Sequence, residues 1–186
     1  VDNNAIDIQT WYLDGDIDGY GNPAVSVLAC DPPGGYVPNG LDCNDNNSGV
    51  YPGATEYCDG LDNDCNGCTD EDAVDAPLWY ADIDYDGYGD PVVFIAVCSQ
   101  PPGYVDNSLD CDDNDDSVYP GAFEYCDGKD NDCDGSTDEF AIDVQAWYYD
   151  GDEDGYGNPE MEIYECSAPP GYVNNNYDCN DWDPDI

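Results

Sequence analysis

The chain has 186 residues, of which 45 are Asp or Glu and one is Lys, with no His, for a formal net charge of -44. That charge leaves no basic footprint for nucleic acid, and a compact chain carrying it repels itself unless bound cations neutralise it. A 40% hydrophobic share, 13% aromatics and 11 cysteines exclude a solvated acidic tail, and no apolar run reaches membrane-spanning length.

Cysteine at this density points to disulfides in an oxidising, extracellular or cell-surface setting. Zinc knuckles are the competing reading, but only Cys65 and Cys68 have the spacing, and it has no second copy. Trp11, Trp79 and Trp147 lie 68 apart, as do Cys30, Cys98 and Cys166, and Cys43, Cys111 and Cys179. The chain therefore divides into repeats 1–68, 69–136 and a shorter 137–186. The expected fold is mostly irregular with small β elements: tandem repeats of short hairpins and acidic loops, stapled by disulfides and calcium, with little helix. A repeat of this size with so few aliphatics needs such staples. The recurring Trp and Tyr are expected as mini-cores, with an aromatic sugar platform as the alternative.

Each repeat opens with a predicted strand, Ile6 to Leu13 in the first copy, and continues as Ala24 to Ala29, or Pro91 to Val97 in the second copy. Between the strands lies Asp14-Gly15-Asp16-Ile17-Asp18-Gly19-Tyr20, which returns around Asp82, Asp84, Asp86 and Tyr88, and around Asp150, Asp152, Asp154 and Tyr156. Carboxylates at alternate positions before a glycine form the first half of an EF-hand-type calcium loop, with the tyrosine at position 7 offering its carbonyl. This predicts a hairpin with a metal loop at its tip. The loop lacks the bidentate Glu of position 12, where Val25, Val93 and Met161 stand. An acid from elsewhere must close the shell.

A Pro-Pro-Gly-Tyr-Val turn follows (Pro101 to Val105, Pro169 to Val173), then Asp42-Cys43-Asn44-Asp45, repeated around Asp110 and Asp113 and around Asp178 and Asp181. Asp42 is the candidate for the missing acid, with Asp45 on the same site or a neighbouring one. A solvated turn is the plain alternative. Further on, Asp62, Asp64, Asn66 and Asp70 form a second such loop, copied as Asp130, Asp132, Asp134, the Ser136 carbonyl and Asp138. Glu56 and Glu124 stand where a carboxylate could complete it. The expected bridges are Cys30–Cys43, Cys58–Cys65, Cys98–Cys111, Cys126–Cys133 and Cys166–Cys179, leaving Cys68 over. Asn46-Asn47-Ser48 is a sequon for glycan attachment at Asn46.

The run from Asp110-Cys111-Asp112-Asp113 through Tyr119-Pro120-Gly121-Ala122 to Cys133-Asp134-Gly135 resembles the metal-binding repeat named after the copper-binding protein MopE, found in tandem in secreted bacterial proteins. The Asp-x-Asp-x-Asp-Gly-Tyr-Gly stretch is similar to the calcium loops of thrombospondin type 3 repeats. The first resemblance implies copper. The residues argue for Ca2+, because His is absent and Met161 is the single methionine. The expected function is a secreted calcium-binding structural repeat, a segment of a filament, stalk or adhesin; the alternative is a copper-type metal-scavenging surface protein. Carboxylate pairs in so acidic a chain carry no weight as glycosidase signals, and no nucleophile–base pair or phosphate loop stands out, so no enzyme is expected. Ends that fall inside repeats, with Trp182 and Ile186 at one of them, lead to the expectation of head-to-tail self-assembly into a homopolymer or continuing array, with no membrane insertion.

Overall fold

The computed structural model describes residues 8–180 and 182–183. Its regular elements are nine strands: β1 Gln9–Leu13, β2 Ser26–Ala29, β3 Tyr36–Val37, β4 Leu78–Ala81, β5 Phe94–Ala96, β6 Tyr104–Val105, β7 Gln145–Tyr149, β8 Glu162–Glu165 and β9 Tyr172–Val173. No helix occurs among the described residues, and none is long and apolar enough to cross a membrane. The mostly irregular, small-β architecture expected from the sequence is the one observed. Ile6 and Asp7 of the first predicted strand lie outside the described residues.

The strands form three small antiparallel sheets, in the orders β2-β1-β3, β5-β4-β6 and β8-β7-β9. In the first, Trp11 pairs with Val27 and Tyr12 with Ser26, so the acidic loop closes a hairpin. The third repeats this register at Trp147–Ile163 and Tyr148–Glu162. The central strand is Trp- and Tyr-rich, as suits a pleated, half-buried surface. Its tryptophan caps the hairpin by donating to the neighbouring strand: Trp11 Nε1 to the Ala29 carbonyl at 3.2 Å, Trp79 to Val97 at 2.9 Å, and Trp147 to Glu165 at 3.0 Å.

The sequence reading missed the third strand. The Pro-Pro-Gly-Tyr-Val segment does turn, but its Tyr-Val end pairs with the other edge of the central strand, Tyr12 with Val37 and Leu13 with Tyr36. That pairing returns the chain across the hairpin. It works because Gly21 lies under Tyr12: a Cβ there would stand 2.6 Å from Tyr12 Cβ and 2.8 Å from the Asn39 carbonyl oxygen. Gly89 and Gly157 meet the same obstruction.

By contacts the chain separates into two compact bodies, Val1–Trp79 with Phe94–Pro102, and Tyr80–Val93 with Gly103–Ile186. Neither contains much core. The buried apolar residues among those described are Trp11, Val50, Ala73, Ala81, Val118 and Ala141, while the buried polar set is larger and dominated by carboxylates. Stability therefore rests on how those carboxylates are satisfied and on covalent bridges.

Four disulfides are present: Cys43–Cys65, Cys58–Cys98, Cys111–Cys133 and Cys126–Cys166. None of the five expected pairings forms. The reason lies in the loops. Cys65 and Cys133 occupy the fourth position of the second acidic loop, at φ 57° in both cases. The same position in the hairpin-tip loop holds Ile17 and Tyr85, at φ 70° and 67°, and their side chains are 86% and 78% exposed. A side chain at position 4 thus points away from the loop centre, so Cys65 reaches outward to Cys43. Cys58 is then left for Cys98, one repeat along. Cys68 is an exposed thiol.

Candidate metal centres

Both acidic loops share one backbone path. The fourth residue is left-handed without being glycine, and the sixth is a left-handed glycine: Gly19 at φ 96°, Gly87 at 96°, Gly67 at 98° and Gly135 at 97°. Each non-glycine in that region costs roughly 1–2 kcal/mol. The turn is held by its first aspartate. Asp14 accepts from the amides of Ile17 at 2.8 Å and Gly19 at 3.2 Å; Asp62 accepts from Asn66 and Gly67 at 3.0 and 2.9 Å. Asp130 and Asp150 do the same in their loops. Alternate carboxylates then face one another.

At the first hairpin tip, oxygens of Asp14, Asp16 and Asp18 lie within 4.8 Å of one another, and so do those of Asp16, Asp42 and Asp45. The second tip repeats both groups as Asp82, Asp84 and Asp86, and Asp84, Asp110 and Asp113. The distant acids are docked by backbone. Asp42 N–H donates to the Gly21 carbonyl at 3.2 Å, and Asp45 Oδ1 accepts from Gly15 N–H at 2.6 Å. Asp110 bonds Gly89 at 3.2 Å and Asp113 accepts from Ile83 at 2.9 Å. Tyr20, Tyr88 and Tyr156 sit at position 7, their amides donating to Asp18, Asp86 and Asp154 at 2.8, 2.7 and 2.8 Å. Asp152 and Asp178 take the equivalent places in the third copy; Asp181 lies outside the described residues.

These acids are deeply placed and incompletely satisfied. Asp42 and Asp110 are 2% exposed and Asp178 5%. Both oxygens of Asp16, and one each of Asp18, Asp42, Asp84, Asp86, Asp110, Asp113, Asp152 and Asp178, are buried without a donor. Burial and facing carboxylates push Asp16, Asp42, Asp86, Asp113 and Asp152 above the ordinary carboxylate range. Asp110 rises to about 6, first through burial, then through Asp86, Asp84 and Asp113, against the opposing Asp112 amide. The single Lys, Lys129, is engaged elsewhere, with Asp115. Buried acceptors facing acceptors, with no protein cation among them, fit a metal ion.

The second loop is local. Glu56, Asp62 and Asp64 form another group within 4.8 Å. Glu56, 6% exposed, spans the loop by accepting from the amides of Asp64 at 2.7 Å and Asp70 at 3.2 Å; Glu124 does so with Asp132 and Asp138 at 2.8 and 3.0 Å. Asp70 and Asp138 accept from the Gly60 and Gly128 amides at 2.8 and 2.9 Å. Asn66 joins Asp64 and Glu71 through its side chain, and Asp134 takes the Ser136 amide at 2.8 Å.

Two sets of residues escaped the sequence reading. Glu71 and Glu139 close on the second loop, with Glu71 Oε2 and both oxygens of Glu139 buried and without donors. Desolvation first, then the facing Asp134 carboxylate, raises the Glu139 carboxyl. Their spacing one residue past Asp70 and Asp138 was the available signal. The other set is Asn39, Asn107 and Asn175, whose Oδ1 atoms are buried without donors in all three copies. Their 68-residue recurrence could have singled them out.

These oxygen clusters recur from repeat to repeat as candidate metal sites. A family model described as "Putative metal-binding motif", named Cu-binding MopE, matches residues 42–71, 110–139 and 178–186. The MopE-type motif thus occurs three times in tandem, at the period read from the sequence. No curated protein and no solved structure matches the chain.

Proposed function

We propose that this is an extracellular calcium-binding structural repeat protein whose ions take the place of a hydrophobic core. The observation that carries the reading is the recurrence of buried carboxylate oxygens without donors at equivalent places in successive repeats. The donors are oxygens throughout, with eight cysteines consumed in bridges and Met161 half exposed outside the clusters. Hard, oxygen-seeking cations of flexible geometry suit such a set; copper favours imidazole and sulfur. Asp14, Asp16, Asp18 and the Tyr20 carbonyl, with Asp42 and Asp45, would hold one ion, and Glu56, Asp62 and Asp64, with Glu71, another. The other copies follow suit. The ion supplies positive charge and folding free energy; no catalytic role is part of this reading.

The bridges Cys58–Cys98 and Cys126–Cys166 each fasten one repeat to the next, which supports a role as a stalk, filament or adhesin segment, self-associating head to tail. They also favour the oxidising surface setting. Asn46 and Ser48 are exposed, as glycan attachment requires. Isothermal titration of chelator-stripped protein with Ca2+ and with Cu2+ tests the metal. Saturable calcium binding that copper does not displace is expected, and preferential copper binding would replace this reading with scavenging. Sedimentation at millimolar calcium tests the assembly, which a strictly monomeric particle would rule out.

A further inference from the structure

Resting on the calcium reading, we infer that Asn39, Asn107 and Asn175 each contribute a neutral amide oxygen to the hairpin-tip ion. Each side chain donates through Nδ2 to the carbonyl of the glycine at position 6 of its own loop: Gly19 at 3.1 Å, Gly87 at 3.0 Å and Gly155 at 2.9 Å. A carbonyl only accepts, so the nitrogen faces it, and the orientation of the amide follows from the hydrogen bond. Oδ1 must then face the other way, where it is buried and meets no donor in any copy. The same segment carries the docked acid three residues later, and Asp42, Asp110 and Asp178 are all more than nine-tenths buried with Oδ2 likewise unmet.

A buried amide oxygen that meets no donor is unfavourable in the metal-free chain, as are the unmet carboxylate oxygens of the same loop and its docked acid. A cation reverses that, and an amide carbonyl is a normal calcium ligand. The position-12 acid of the EF-hand is therefore replaced by a returning strand that brings in both an acid and an amide. The neutral oxygen adds a ligand without adding negative charge to an already crowded site.

The rival role is a clamp, in which only Nδ2 matters. Terbium luminescence separates the two. In the Asn39→Ala, Asn107→Ala, Asn175→Ala triple variant, lifetimes in H2O and D2O should show about one more bound water per hairpin-tip ion, with calcium affinity at those sites lower by tenfold or more. Lower affinity with an unchanged water count would leave the clamp and overturn the inference. Should the variant not fold, the unmodified protein serves. Three asparagine 13Cγ signals should shift together as Ca2+ is titrated, and their constancy while calcium binds would overturn the ligand role alone. Absence of any calcium binding would instead overturn the underlying reading.

Discussion

The two acidic loops of each full repeat have the same backbone and differ in how their shells are closed. The hairpin-tip loop draws acids from about thirty residues away, held by a three-stranded sheet and by backbone bonds such as Gly15 to Asp45. The second loop finds its partners close by, in Glu56 and Glu71, and is anchored through the cysteine at its own fourth position. One site depends on tertiary structure and the other on covalent structure. Cys43, between Asp42 and Asp45, and Cys65, between Asp64 and Asn66, join them directly.

Chelation is the severest challenge to this contrast. Stripping divalent cations should abolish protease resistance and lower the melting temperature steeply, because the hairpin tips lose the charge that offsets their buried aspartates. Cleavage mapped by mass spectrometry should start between β1 and β3, with the disulfide-held second loops cut last; simultaneous cutting would erase the distinction.

Single substitutions come next. Asp110→Asn should weaken the second hairpin-tip site by about tenfold or more while leaving the Glu124 loop unchanged, and Glu139→Gln should do the reverse. Calorimetric titration resolves the two classes, and cross-effects of equal size would mean one coupled site.

Reduction in saturating calcium should weaken second-loop sites several-fold more than hairpin-tip sites, since each bridge contributes roughly 2–4 kcal/mol by restricting the unfolded chain. Peptide mapping before reduction should recover Cys43–Cys65 and Cys58–Cys98 pairs, with Cys68 open to iodoacetamide.

The smallest effect is that of pH on the metal-free chain. Asp110 is raised to about 6 in the fold, so the folded form holds its proton where the unfolded form, near the ordinary value, has lost it. Its destabilising contribution is absent below the unfolded value and complete above about 6. Metal-free protein should therefore melt higher at pH 4.5 than at 7, a difference that Asp110→Asn should reduce.

The hairpins, the tip loops and the return of Asp42 and Asp45 were legible because period-2 strands, alternate acids and a 68-residue repeat each leave a local mark. The third strand was not, because a two-residue strand such as Tyr36–Val37 has no period of its own and forms only against β1. Disulfide pairing was illegible for a related reason. Cys65 looked like the neighbour of Cys58, and only the left-handed fourth position turns it outward to Cys43. The unmet oxygens of Asn39, Asn107, Asn175, Glu71 and Glu139 are visible only in the fold, although the spacing of these residues was there in the sequence.

The interleaving of the bridges has a mechanical consequence. Tension applied between Cys43 and Cys166 crosses to Cys65, doubles back to Cys58, jumps to Cys98, runs to Cys111 and repeats the manoeuvre through Cys133 and Cys126. Only the short segments between those sulfurs can be drawn taut, so the oxidised stretch extends to about a quarter of the length it reaches when reduced, at roughly 3.3–3.6 Å per residue. The hairpin-tip loop at Asp82 to Asp86 hangs beside this thread as slack, whereas Asp62, Asp64, Asp130 and Asp132 of the second loops lie on it. A strand pulled in flow would keep its length for as long as its sulfur bonds hold, whatever happens to its ions.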